Sequence, residues 1–197
     1  MKSVIASNNL KKRSEIALIL SGLGIGLLAA DETRFVEVEE DGETFADNAR
    51  KKAEAFAAVN QLPALADDSG LCVDALGGAP GVYSSRYADD LMKEPGDADN
   101  NAKLLKELSG VENRAAHFIC ALHLSFPDGR KPVTAQGRVE GSILSGSDGK
   151  QGFGYDPLFY STELNKSFAN ATTEEKASVS HRGRALRAFA KQMKALV

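Results

Sequence analysis

The chain of 197 residues is 43% hydrophobic and 26% charged with a formal net charge of −3, the balance of a globular protein rather than a disordered or fibrous one. An acidic surface repels polyanions and argues against general nucleic-acid binding, and no stretch reaches the roughly 20 apolar residues a membrane span requires. At this length about 70% of the unfolded surface can be buried without a disulfide staple, so we expect a single domain over residues 1–197.

In chain order, residues 3–6 read as a short buried strand, and Ile16, Ile19, Leu20 and Leu23 fall at the i, i+3, i+4 and i+7 spacing of a helix that Gly22, Gly24 and Gly26 end. Residues 33–38 alternate as a second strand would. Thr44-Phe45-Ala46-Asp47 has the form of a capping box, and Phe45, Ala49, Ala53 and Phe56 then share one side of a helix reaching about Asn60. Residues 62–66 predict a short apolar strand delivering Asp67 and Asp68 at its exit, and Gly77-Gly78-Ala79-Pro80-Gly81 predicts a turn.

Residues 89–101 are polar and predict a mobile surface loop before a helix carrying Leu104, Leu105 and Leu108. The alternation Phe118, Cys120, Leu122, Leu124, Phe126 predicts a strand, with a second following across Asp128-Gly129. Leu186, Phe189, Ala190, Met193 and Val197 form a helical stripe that Ser180 is placed to cap. Strands mix with helices without strict alternation, which gives an α/β fold with a mixed sheet.

Cys72 and Cys120, the only cysteines, lie in apolar segments and read as free thiols in a reducing compartment. The apolar run at the start is too short for a secretory signal peptide, so the expected location is cytoplasmic. The sequons at Asn165 and Asn170 then read as chance.

Chemistry is written at both basic helix starts. Lys11, Lys12 and Arg13 follow Ser7-Asn8-Asn9 where the helix dipole disfavours cations. A phosphate held by free backbone N–H groups, by Ser7 and Asn9 and by Lys12 would offset that conflict. The same conflict recurs at Ser180-His181-Arg182-Gly183-Arg184, with Lys176 just before. Either start taken alone is also what a solvated basic helix end looks like.

Against these stand Glu39-Glu40-Asp41 in a polar turn and Asp67-Asp68 beside Ser69-Gly70. Mg²⁺ takes one or two carboxylates together with water and phosphate oxygens, so this acid supply is sufficient. Gly152-Phe153-Gly154-Tyr155-Asp156 sets aromatic rings and a carboxylate among glycines, which suits a nucleobase slot, although a loop packing its rings into the core has the same pattern. The Gly22 to Gly26 run lacks dinucleotide spacing, Gly149-Lys150 is no Walker loop, and neither a Gly-x-Ser-x-Gly nor a zinc spacing is present.

Taken in order, Ser7-Asn8-Asn9-Leu10-Lys11-Lys12, Glu39-Glu40 with Thr44-Phe45, Ala66-Asp67-Asp68-Ser69-Gly70-Leu71, Gly77 to Gly81, Phe153 to Asp156 and Ser180-His181-Arg182 resemble the inosine triphosphate pyrophosphatase family over nearly the whole chain. The resemblance implies an elongated two-lobed mixed-sheet fold with the active site in a cleft, usually as a homodimer. It also implies Mg²⁺ and hydrolysis of ITP, dITP or XTP to the monophosphate and pyrophosphate. By residue, Ser7, Asn8, Asn9, Leu10, Lys11 and Lys12 would hold the triphosphate, and Asp68 would accept the proton of the attacking water and bind metal. Ser69 would touch substrate; Glu40, with its neighbour Glu39, would complete the metal site, and Asp67 would assist. Phe153, Gly154, Tyr155 and Asp156 would form the base pocket, Lys176 would reach the substrate, and His181 and Arg182 would read the purine edge. Asn8 departs from the family, many members having Gly there, though Asn tolerates left-handed geometry. The alternatives are a Maf-type pyrophosphatase of the same fold, which the His181-Arg182 block disfavours, and a nucleotide-binding module without hydrolysis, which would need no water-activating carboxylate.

Overall fold

The computed structural model describes residues 3–7, 9–22, 28, 33–34, 36–91 and 94–195. Asn8, Leu23, Gly24, Gly26 and Val197, named above, lie outside them, as does Phe35 of the stretch 33–38. Val4–Ala6 forms β1, entirely buried, and pairs parallel with β2, Ala64–Val73, in the register Val4↔Ala64, Ile5↔Leu65, Ala6↔Ala66. A parallel pair needs a crossover, and here the intervening chain carries α1, Leu10–Gly22, and α2, Phe45–Asn60. The helix α3, Asp97–Glu107, precedes β3, Ala115–Ser125, and β4, Val133–Ile143. Two short strands, β5 at Phe159–Ser161 and β6 at Lys166–Ser167, continue antiparallel from β4, and the chain closes with α4, Thr173–Val179, and α5, His181–Lys194. The six strands form one mixed sheet in the order β1-β2-β3-β4-β5-β6.

By compactness the chain divides into two units, residues 1–68, 120–137 and 181–197 in the first and 69–119 and 138–180 in the second. The first has two apolar clusters. One joins Ile5, Ile16, Leu20, Leu65, Leu122, Leu124, Leu186 and Phe189; the other packs Ala53, Phe56 and Ala57 of α2 on Val4, Ala6, Ala64 and Ala66. Gly137 lies under the first turn of α5, where a Cβ would collide with His181 and Ala185 backbone. In the second unit Leu71, Leu104, Val139, Leu158 and three rings form the core, with Phe118 and Phe168 centred 4.7 and 4.9 Å from Phe159. Burial of each such side chain contributes about 1.5–3 kcal/mol.

Three local expectations are corrected, and one element is new. No strand forms among the described residues of 33–38; the Asn60 side-chain amide bonds both Arg34 N–H (2.7 Å) and Arg34 C=O (3.2 Å), giving this segment partners that a ladder would otherwise supply. The strand expected at 62–66 runs on to Val73, so Asp67 and Asp68 sit inside it. The polar stretch 89–101 is already helical from Asp97, because Asp99 accepts the Gly96 N–H at 2.9 Å and two acids occupy the first turn. The helix α4 was not expected at all. Its signal is the capping box Thr172-x-x-Glu175, in which Thr172 Oγ1 accepts the Glu175 N–H and Glu175 accepts the Thr172 N–H.

Candidate active site

Within the first unit, the turn after β1 starts α1. Asn9 Oδ1 accepts the Lys12 N–H at 3.0 Å and is the cap of the helix, while Ser7 Oγ accepts the Asn9 N–H at 3.3 Å. The Arg13 guanidinium clamps the turn by donating to Ile5 and Ser7 carbonyls, both at 3.1 Å. Lys12 then stands at the helix mouth with its ammonium 3.3 Å from Asp67, whereas Leu10 and Lys11 are exposed.

Asp67 is 1% exposed, yet it carries charge. Burial alone would raise its pKa, but Arg182, then Lys12, hold it well below the usual carboxylate range. Arg182 Nε donates to Asp67 Oδ2 at 2.9 Å and Nη2 to Oδ1 at 3.3 Å, and Nη1 bonds Glu15 of α1. The Cys120 thiol donates to the same Oδ2 at 3.0 Å, and burial followed by the Asp67 charge pushes that thiol up, so it remains an inert donor.

Asp68, one step along β2, has a different environment because successive side chains face opposite ways. It is 6% exposed, and burial raises its pKa to about 6 although Lys52 and Lys12 pull the other way. Lys52 of α2 donates to Asp68 Oδ1 at 2.9 Å and to Glu40 Oε2 at 2.8 Å. Burial would lower the Lys52 pKa, but Asp68 and Glu40 together raise it, and Lys52 in turn keeps Glu40 ionised against burial. Glu40 is thus joined to Asp68 through one ammonium, whereas Glu39 is exposed. The expectation that Asp67 and Asp68 lie open at a strand exit is corrected: cations paired to both carboxylates allow the strand to carry them buried.

Within the second unit, Asp156 and Lys176 form a buried ion pair at 2.7 Å, and Asp156 Oδ2 also accepts the Phe153 N–H at 2.9 Å. The Lys176 ammonium stands 4.6 Å from the centre of the Phe153 ring. Gly154, with φ of 61°, is held by Asp97, which accepts its N–H at 2.7 Å, and by Asn101, which donates to its carbonyl at 3.0 Å. Gly152 has no room for a Cβ beside the Asp156 carboxylate. Tyr155 is part of the core and donates its hydroxyl to Ser84 C=O at 2.8 Å, so the ring that stays half-exposed in this loop is Phe153. Ser69 follows Asp68 on β2 and is half-buried.

Residues 3–192 match the Ham1 family. The chain belongs to that family. It is 51% identical to the dITP/XTP pyrophosphatase of Desulforamulus reducens over 190 residues, covering 95% of this chain and 92% of that protein. It is 50% identical to the dITP/XTP pyrophosphatase of Geobacter sulfurreducens, covering 93% and 92%. The solved Ham1 protein of Staphylococcus aureus superposes over 100% of both chains with a TM-score of 0.87 and 37% identity. That of Coxiella burnetii covers 99% of both with a TM-score of 0.88 and 38% identity.

In this Ham1-family chain the structure brings together Lys12, Glu40, Asp67, Asp68 and Arg182 in one unit and Phe153, Gly154, Asp156 and Lys176 in the other. Arg182, expected at the purine edge, is 2% exposed and engaged by Asp67 and Glu15; His181 beside it is buried too. The residue that sequence reasoning missed is Lys52. Its signal was a lysine set among Ala49, Ala53 and Phe56 on the buried stripe of α2, where a cation needs a carboxylate partner.

Proposed function

We propose that this Ham1-family chain hydrolyses non-standard purine nucleoside triphosphates, dITP, XTP and ITP, to the monophosphate and pyrophosphate. The observation that carries the reading is Asp68: a buried carboxylate raised to about 6, tied through Lys52 to Glu40 and set beside the cationic mouth of α1. A base with that pKa is mostly ionised at neutral pH and still accepts a proton readily. The names of the relatives favour this substrate class over the Maf-type alternative.

In the proposed mechanism Asp68 orients a water and takes its proton as the oxygen bonds to the α-phosphorus. The bond from that phosphorus to the α,β-bridging oxygen breaks, and pyrophosphate leaves with the electron pair. Lys12 and the start of α1 at Leu10 and Lys11 bind phosphate oxygens together with Ser7, Asn8 and Asn9, and Ser69 touches the substrate. The Phe153 ring and the Gly154 backbone contact the base, Lys176 stays fixed by Asp156, and His181 keeps its expected role at the purine edge. Tyr155 and Arg182 are assigned to support, since one is core and the other holds Asp67.

The acids also fit Mg²⁺. Glu40 and Asp68 already share one cationic centre, the Lys52 ammonium. That suits an ion taking one or two carboxylates and completing its shell with water and phosphate oxygens. Glu40 and Asp68 would hold it, with Glu39 outside the pair, and when bound it would neutralise charge developing on the phosphates. Because Asp68 must lose its proton to take up a cation, the Mg²⁺ concentration giving half-maximal rate is expected to rise as pH falls through about 6. Rates measured from pH 5 to 8 at varied Mg²⁺ check this; a pH-independent requirement would refute it.

Pyrophosphate release from dITP, XTP, ITP, GTP and ATP, each with Mg²⁺ or with EDTA, tests the whole reading. Preference for the first three and silence in EDTA are expected; equal turnover of ATP would overturn it. Phe153→Ala is expected to raise KM for ITP about tenfold, since base stacking is worth roughly 1–3 kcal/mol. An unchanged KM would remove Phe153 from the base contact. We further propose a cytoplasmic homodimer, a location with which the two free thiols are consistent. Sedimentation equilibrium gives the oligomeric state directly.

A further inference from the structure

The acidic turn that carries Glu40 is tied to α2 at three places. Two are ion pairs, Glu40 with Lys52 and Asp41 with Lys51. The third is different in kind: Asn48 Oδ1 accepts the Gly42 N–H at 2.8 Å. Asn48 is 0% exposed and sits in the first helical turn, four residues before Lys52 and therefore on the same face. Because the Gly42 amide can only donate, the bond fixes which end of the Asn48 amide faces the turn, and Nδ2 is left buried with no hydrogen-bond partner among the described residues. The turn is also shaped around this side chain. A Cβ on Gly42 would lie 2.6 Å from Asn48 Oδ1 and 2.8 Å from Asp47 Cβ.

An Asn is a poor helix former, and one with an unpartnered buried donor destabilises the fold relative to an apolar residue of similar size. Stability therefore does not explain its presence, whereas the contact it makes does. We propose that Asn48 is a positioning residue for the metal site: it pins the turn at Gly42, two residues beyond Glu40, so that the Glu40 carboxylate faces Asp68. The proposal rests on the reading of Glu40 and Asp68 as cation ligands.

The test is direct Mn²⁺ binding by electron paramagnetic resonance on the full-length protein without nucleotide, alongside thermal melting. Asn48→Ala is expected to weaken Mn²⁺ binding tenfold or more in a protein that still melts cooperatively. Asn48→Asp, which keeps an acceptor for the Gly42 N–H, is expected to bind within about threefold of the unsubstituted protein or tighter. Gly42→Ala approaches the same contact from the other side and is expected to match Asn48→Ala. Asn48→Ala binding Mn²⁺ within twofold of normal would mean that Asn48 serves the fold alone. If Asn48→Ala does not fold, Gly42→Ala decides: normal Mn²⁺ affinity there overturns the proposal. Failure of the unsubstituted protein to bind Mn²⁺ would remove the metal reading and this inference together, while normal binding in all variants would remove only the inference.

Discussion

Replacing Asp68 with Asn is expected to lower kcat for ITP by about a thousandfold while ITP binding, measured by calorimetry, changes only a few-fold. The magnitude follows from the role. General base catalysis contributes roughly 10²–10⁴, and Asn keeps the shape of the side chain and an acceptor for Lys52 but has no basic oxygen to take a proton. Raising Mg²⁺ separates this role from simple metal ligation. If Asp68 only held the ion, excess Mg²⁺ would restore most of the rate; if it also takes the proton, the deficit persists at saturating Mg²⁺. Turnover within tenfold of normal would exclude the base assignment.

Arg182→Met is expected to produce the largest loss of stability. The guanidinium is 2% exposed and bonds Asp67 through two nitrogens and Glu15 through the third. Removing it leaves the enclosed Asp67 without its guanidinium partner, with the Lys12 ammonium still 3.3 Å away. Breaking a buried pair from one side costs about 3–5 kcal/mol, and for a chain of this size each kcal/mol moves the melting temperature by roughly 2–4 °C, so a fall of about 10 °C is expected. Asp67→Leu combined with Arg182→Met removes both charges and is expected to recover part of the loss.

The pH dependence of that deficit has a definite sign. Asp67 has a folded pKa held below its unfolded value, so its contribution is present above the unfolded value and is lost as pH falls through the folded one. Without Arg182 the carboxyl protonates at higher pH, which relieves the uncompensated charge. The gap between variant and unsubstituted protein is therefore expected to narrow from pH 7 towards pH 4. Melting curves across this range check it, and a constant gap would mean that Arg182 stabilises through packing of its stem alone.

Much of the fold was legible because its patterns are local. The Thr44 cap and the Ala49, Ala53, Phe56 stripe define α2, the alternation through Phe118, Cys120 and Leu122 defines β3, and the Leu186, Phe189, Ala190 stripe defines α5. Where a local pattern was present but not read, as with the Thr172 capping box, an element was missed. Residues 33–38 failed for another reason: alternation permits a strand, but only an available neighbour makes one, and Asn60 took the backbone partners instead.

By itself, then, the sequence determined the secondary-structure periods, the two basic helix starts and the adjacent acids, since each depends on residues close together in the chain. The tertiary structure alone decided what those charges do. Asp67 and Asp68 are neighbours of one type, but the first meets Arg182 from 115 positions away and is locked as an anion, while the second meets Lys52 and burial and is raised to about 6. Protonation and pairing are set by burial and by the charges brought within a few ångströms, and neither is encoded in the spacing of residues along the chain.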